Sequence, residues 1–126
     1  DLELGRSVRF LGQVGDISGL LGAVDLGVFS SRLEGCPNGV LECMAAGLAV
    51  VGTDIPGIRE AVGEVGYPWL APPGDADALA GHILALARDA GLREQLGAHS
   101  RQRIVEHFSP ERMGRETAAL LNAWLK

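Results

Sequence analysis

Two short apolar runs, Val24-Asp-Leu-Gly-Val-Phe29 and Leu48-Ala-Val-Val51, each give way to a loop rich in glycine and proline and then to a helical stretch. That order constrains the fold more than any other feature of the chain. Buried strands joined through helices must run parallel, because a parallel pair needs a long crossover connection and a helix is the usual one. The predicted fold class is therefore α/β, a Rossmann-like parallel sheet with helices on both faces. Val8-Arg-Phe-Leu11 adds a strand ahead of the two runs, and Asp16 caps a short helix over Ile17 to Ala23 with Leu20 and Leu21 inward. A helix from about Gly39 to Ala46 ends at Gly47, Ile58 to Val62 forms another, and Tyr67 to Leu70 is a strand candidate weakened by Pro68. After Pro72-Pro-Gly-Asp75 the pattern becomes purely helical. One helix is capped by Asp75 and runs to about Asp89, the next opens at Gly91-Leu92, and the last starts at Ser109-Pro-Glu111. The chain reads as a single domain over 1–126, with a strand–helix part over 1–74 and a helical tail over 75–126.

The chain has 126 residues, enough for one core and too few for two domains. A formal net charge of −5 argues against sequence-independent attraction to nucleic acid. Apolar runs stay short of transmembrane length, and the start does not read as a signal peptide. Cys36 and Cys43 match no zinc spacing, so no metal is expected, and a reduced, cytoplasmic chain is the default. The first residue is Asp rather than Met, which points to a fragment or a processed chain.

Chemistry concentrates in Glu34-Gly-Cys-Pro-Asn-Gly-Val-Leu-Glu42, where seven residues separate two carboxylates. The loop follows a strand, and ligands of such sheets bind where loops converge at the carboxyl ends of the strands. Three loops qualify: Gly12 to Asp16, Ser30 to Asn38 and Gly52 to Gly57. With Asn38 as N-cap, the N–H groups at the helix start offer a cradle for phosphate. Glu42 is placed to accept hydrogen bonds from a diol such as ribose. Taken singly, Glu42 reads more often as a first-turn acid complementing the helix dipole, and Glu34 more often as a solvated loop residue; the ensemble is what points to a site.

The ensemble resembles a known family. Phe10-Leu-Gly-x-Val14, Ala23-x-Asp25, Phe29-Ser-Ser, Glu34-Gly-x-Pro-x-x-x-Leu-Glu42, Met44-Ala-Ala-Gly47, Val50-Val-Gly-Thr-Asp54, Gly57-Ile-Arg-Glu60, Pro73-Gly-Asp75 and Phe108-Ser stand in its order. Together they are similar to the C-terminal, donor-binding half of the retaining family 4 glycosyltransferases of the GT-B fold. The resemblance implies that Glu42 holds ribose hydroxyls and that Glu34 contacts the transferred sugar, with the Gly35 and Cys36 backbone nearby. It also implies that Asn38 and Gly39 offer N–H groups to the diphosphate. Val14 lies in the loop that meets the base through main-chain atoms, and Asp16 lies where some members contact guanine. The implied donor is a UDP-, GDP- or ADP-sugar, without a metal or other cofactor. The implied acceptor is a glycan, lipid or small molecule carried by a separate N-terminal domain.

Members of the family neutralise the departing diphosphate with an upstream Arg and Lys that this chain lacks. It reads as the donor half truncated at its N-terminus, inactive in isolation, with Glu34 the catalytic candidate of the full-length enzyme. The alternative is a stand-alone, non-catalytic nucleotide-sugar-binding or interaction module. A dinucleotide fold fits poorly, because Gly12-x-x-Gly15-x-x-x-Gly19 has the wrong spacing. Arg59 and Glu60 read as a surface pair, and His82, His99 and His107 as surface residues. Arg88, Arg93, Arg101, Arg103, Arg112 and Arg115 read as a solvated face, or alternatively as a peripheral membrane contact. Leu120, Leu121 and Trp124 make the last helix amphipathic. An uncovered sheet edge or helix face would favour a non-native dimer.

Overall fold

The computed structural model describes residues 4–125. Among these residues, three strands form one parallel sheet in the order β1 (Leu26–Phe29), β2 (Ala49–Thr53), β3 (Leu70–Ala71). Leu26 pairs with Ala49 and Phe29 with Gly52, while Gly52 also faces Leu70. Among the described residues there are six α-helices: α1 (Ile17–Gly22), α2 (Asn38–Ala45), α3 (Pro56–Gly66), α4 (Ala76–Arg88), α5 (Ala90–His107) and α6 (Pro110–Trp124), of which α2 to α5 pack on the sheet. The predicted α/β class and the helical tail are both present.

β2 is the centre of the molecule, and all five of its residues are buried. Side chains alternate along a strand, so its two faces feed two cores. Val50 joins Val40, Cys43 and Met44 of α2 and Ile58, Ala61 and Val62 of α3. Ala49 and Val51 point the other way, onto Leu86 and Ile83 of α4 and Leu92 and Leu96 of α5. A strand covered on both faces reads as a near-continuous apolar run, which explains why Leu48 to Val51 carries no alternation. β1 has β2 as its neighbour on one side and is half-open, with Val28 43% exposed.

Three predicted elements come out differently. Val8 to Leu11 lies outside the sheet, with Phe10 96% exposed, although the outer edge of β1 has no strand beside it among the described residues. Tyr67–Trp69 forms a 3₁₀ turn, with Pro68 in its first turn, and β3 is the two residues that follow. The helix predicted over Ile58 to Val62 starts two residues earlier, at Pro56, and its end after Val62 stands, because α3 kinks at Gly63, whose φ of 68° is not helical.

The tail arginines do more than solvate a face. Arg93 Nη1 donates to Leu86 O (2.5 Å) and Ala87 O (3.0 Å) at the end of α4. Arg103 donates to Ala61 O (2.8 Å) and Glu60 O (2.7 Å) of α3. Arg112 reaches Glu106 O near the end of α5 (3.1 Å) and Glu116 within α6 (2.7 Å). Carbonyls without intrahelical partners at helix ends favour cations, so these side chains fasten helix to helix. His82 also packs inward, edge-on to the Trp69 ring at 5.9 Å.

Candidate active site

α2 begins where β1 ends, at the carboxyl edge of the sheet. Pro37, not Asn38, occupies the N-cap position, and no side chain caps the helix. Asn38 is the first helical residue, and its own N–H bonds Cys36 O at 3.0 Å. Four other helices open on a side-chain cap: Asp16 to Gly19 N (2.8 Å), Asp75 to Ala78 N (2.9 Å), Asp89 to Leu92 N (2.9 Å) and Ser109 to Arg112 N (3.2 Å). Among the described helices, α2 and α3 alone lack one, and both start at loops that leave the sheet at its ligand edge. Uncapped N–H groups beyond Asn38 are suited to an external anion. Asn38 and Gly39 are exposed there.

The Glu34 loop is braced from three directions. Ser31 Oγ donates to Glu34 Oε1 at 2.8 Å. Thr53 Oγ1, at the end of β2, donates to Ser31 O at 2.5 Å. Gly57, in the first turn of α3, approaches so closely that a Cβ there would stand 2.5 Å from Glu34 O and 2.8 Å from Gly35 O. Phe29 underlies the start of α2, and its ring edge would sit 3.1 Å from a Cβ on Gly39. Glu34 is half-buried and Cys36 exposed. The Cys36 thiol lies 3.9 Å from Asn38 Oδ1.

Glu42 lies one turn into α2 and is exposed. It lines a cleft of about 680 Å³ with Ile17, Ser18 and Leu21 of α1, Ala45 and Ala46 beside it, and Arg101 of α5. On its other flank, Asn38, Leu41, Glu42 and Ala45 face Ile104 and Phe108 across a cleft of about 240 Å³. Cys43, pointing into the core, has its thiol pushed above the ordinary value of 9.0 by burial and, to a lesser degree, by the Glu42 charge. That thiol is structural, not reactive.

The structure thus gathers Glu34, Gly35, Cys36, Asn38, Gly39 and Glu42 about one helix start. Val14 and Asp16 lie in the loop before α1, while the large cleft begins at Ile17. Asp16 spends its carboxylate on capping α1. Arg59 pairs with Asp54, not with Glu60, through Nε–Oδ1 at 2.6 Å and Nη2–Oδ2 at 2.5 Å. Among the described residues, His, Cys, Asp and Glu form no group of three or more that would hold a metal ion. Ser31, Thr53, Gly57 and Arg101 are the members of this edge that sequence reading did not single out as site residues. For Ser31 a local signal existed, a hydroxyl three residues before a carboxylate; Thr53 lay in a predicted ligand loop, but nothing local pointed to its partner 22 positions away.

A parallel sheet flanked by helices, with two carboxylates around an uncapped helix start at its ligand edge, has the architecture of one half of a GT-B glycosyltransferase domain. The family described as glycosyl transferases group 1 matches residues 1–89, and the chain belongs to it. Over 115 residues it is 31% identical to the N-acetyl-alpha-D-glucosaminyl L-malate synthase of Bacillus anthracis, covering 90% of this chain and 30% of that protein. It is 33% identical over 101 residues to the capsular polysaccharide biosynthesis glycosyltransferase CapM of Staphylococcus aureus, covering 79% of this chain and 26% of the relative. With the lipopolysaccharide core biosynthesis glycosyltransferase LpsE of Rhizobium meliloti it shares 33% identity over 111 residues, 88% of this chain and 33% of the relative. The chain therefore spans about a third of the length of these relatives, or less. No described helix is long and apolar enough to cross a membrane.

Proposed function

We propose that this chain is the donor-binding half of a nucleotide-sugar-dependent glycosyltransferase that transfers with retention. The observation that carries the reading is the uncapped start of α2, set between Glu34 and Glu42 at the ligand edge of the sheet. A diphosphate would take the N–H groups that no side chain occupies. Glu42 would accept from the ribose hydroxyls, with the apolar wall of Ile17 and Leu21 beside it. Glu34, on the far side of the helix start, would accept from hydroxyls of the sugar, with Gly35 and Cys36 adjacent. Val14 and Asp16, in the loop before α1, are the candidates for meeting the base. The donor would be a UDP-, GDP- or ADP-sugar, and the reading calls on no metal.

Transfer requires a stabilised leaving group, and fixed charges aimed at the diphosphate are usually the largest contribution. The relatives are about three times longer than this chain. Turnover is therefore assigned to a protein of that length, with the acceptor held by its remaining part, and donor binding to this segment. Isothermal titration of the chain with UDP, GDP and ADP, each beside its sugar conjugate, tests the reading. One nucleotide series is expected to bind, and Glu42→Ala to weaken it about tenfold through loss of charge-assisted hydrogen bonds to the diol. Equal binding by Glu42→Ala would remove Glu42 from the site.

A further inference from the structure

Among the described residues, Thr53 is the one polar side chain in the buried class, 5% exposed. Its strand neighbours Ala49, Val50, Val51 and Gly52 are apolar or bare, and valine would fill the same volume. A buried hydroxyl is costly unless it is bonded, so what it bonds is informative. Thr53 stands one residue beyond the last β1–β2 pair, Phe29 with Gly52, and its Oγ1 crosses to Ser31 O at 2.5 Å. That bond anchors the residue whose own hydroxyl donates to Glu34 Oε1 at 2.8 Å. From the opposite side the bare Cα of Gly57 admits the Glu34 and Gly35 carbonyls. The chain thus fastens a half-buried loop carboxylate to the most buried strand of the fold through two hydroxyls.

We infer that Thr53 and Ser31 are positioning residues that orient the Glu34 carboxylate toward the donor sugar. The inference rests on the donor-site reading above. The Ser31 bond fills one lone-pair site on Oε1, so it directs Oε2 and the remaining acceptor capacity outward, where a pair of sugar hydroxyls can be received. It also removes rotamer freedom from a long side chain before the ligand arrives, so less is lost on binding. Specificity for the sugar, rather than for the nucleotide, is what such a relay supplies.

Two measurements on the same set of variants test it. The first compares affinity for a nucleoside diphosphate with that for its sugar conjugate, in wild type, Ser31→Ala, Thr53→Val and Thr53→Ser. Ser31→Ala and Thr53→Val are expected to lose about fivefold to tenfold of the extra affinity for the conjugate and to keep nucleotide affinity within about twofold. Thr53→Ser, which retains the hydroxyl, is expected to restore the wild-type difference. An equal fall for nucleotide and conjugate would show a merely structural role and overturn the inference. The second measures the side-chain couplings of Glu34 by NMR in the ligand-free chain. A single rotamer in wild type and Thr53→Ser, averaged in Ser31→Ala and Thr53→Val, is expected. Averaging in wild type, or unchanged couplings in Thr53→Val, would overturn it. If the wild type binds no nucleotide, the donor-site reading fails and the couplings alone decide whether the relay exists.

Discussion

Asp54 and Arg59 show how a single pair organises the ligand edge without belonging to the carboxylate pair itself. Asp54 follows β2, and its N–H bonds Ala71 O at 2.7 Å, which closes the end of the sheet. Its carboxylate takes two parallel bonds from Arg59, and the guanidinium lies 4.3 Å from the centre of the Tyr67 ring. This joins the loop after β2 to the 3₁₀ turn that follows α3 through one side chain. The pair is open to water, at 44% for Arg59 and 32% for Asp54, so its contribution to stability is small. Hydrogen bonding from Arg59 holds the Asp54 carboxyl below its ordinary value of 3.8. A lowered folded-state pKa means a contribution that is fully present above the ordinary value and is lost as pH falls through the lowered one. Asp54→Asn is accordingly expected to reduce the thermal midpoint by roughly 1–3 °C at neutral pH. The difference should close at a pH below the carboxylate range. Thermal scans at both pH values check it, and a gap that persists in acid would place the effect in packing rather than in charge.

Between elements, the seat of α5 on the turn after α2 leaves less room for a Cβ than any other glycine position in the described residues. Gly47 ends α2 with a φ of 79°, a left-handed conformation that only glycine adopts cheaply. Its carbonyl lies directly under Gly97, which is buried in the middle of α5, so a Cβ on Gly97 would collide with Gly47 O. The obstacle is backbone and cannot rotate aside. Alanine would improve helix propensity by about 1 kcal/mol, but overpacking against a fixed carbonyl costs about 1–3 kcal/mol. Gly97→Ala is therefore expected to lower the urea midpoint. Gly81→Ala, in α4 with nothing near its missing Cβ, is expected to raise it by the full propensity gain. Opposite signs from the same chemical change would locate the cause in the α5 seat. The same scale shows what a reader of the sequence can know. Asp16, Asp75 and Ser109 are legible as caps because the bond each makes is local, three residues ahead. Glu34 to Glu42 is legible because the candidate site is contiguous. The Pro37 cap, the 3₁₀ turn at Tyr67–Trp69 and the Thr53–Ser31 bond are not. They depend on backbone angles a residue either way, or on a partner 22 positions distant that only the strand register brings near.

Over the whole molecule, the apolar surface is distributed unevenly, and this governs how the chain behaves alone. The central strand and its two cores are closed, yet β1 pairs on one side with β2, and among the described residues its other edge has no strand beside it. Phe10 and Leu11 lie exposed ahead of it. At the other end of the chain, α6 has no buried residue, and Met113, Leu120, Leu121 and Trp124 fall at spacings that put them on one side of the helix. Trp124 is 88% exposed. Contiguous apolar surface of this kind favours contact with another surface, and an unpaired strand edge adds a second adhesive element. With the opposing formal charge only −5, long-range repulsion between copies is weak at physiological salt. The isolated chain is therefore expected to self-associate as its concentration rises through the micromolar range. Sedimentation velocity over a concentration series would show the weighted sedimentation coefficient climbing. Leu121→Lys combined with Trp124→Lys should suppress the climb if the α6 stripe drives it, whereas a charge placed at the open edge, Val28→Lys, should suppress it if pairing at β1 does. A sedimentation coefficient constant across the series would show that neither surface is adhesive enough to associate two copies. The exposure of α6 would then be neutral for the chain alone, and its apolar stripe would need a partner other than a second copy to account for it.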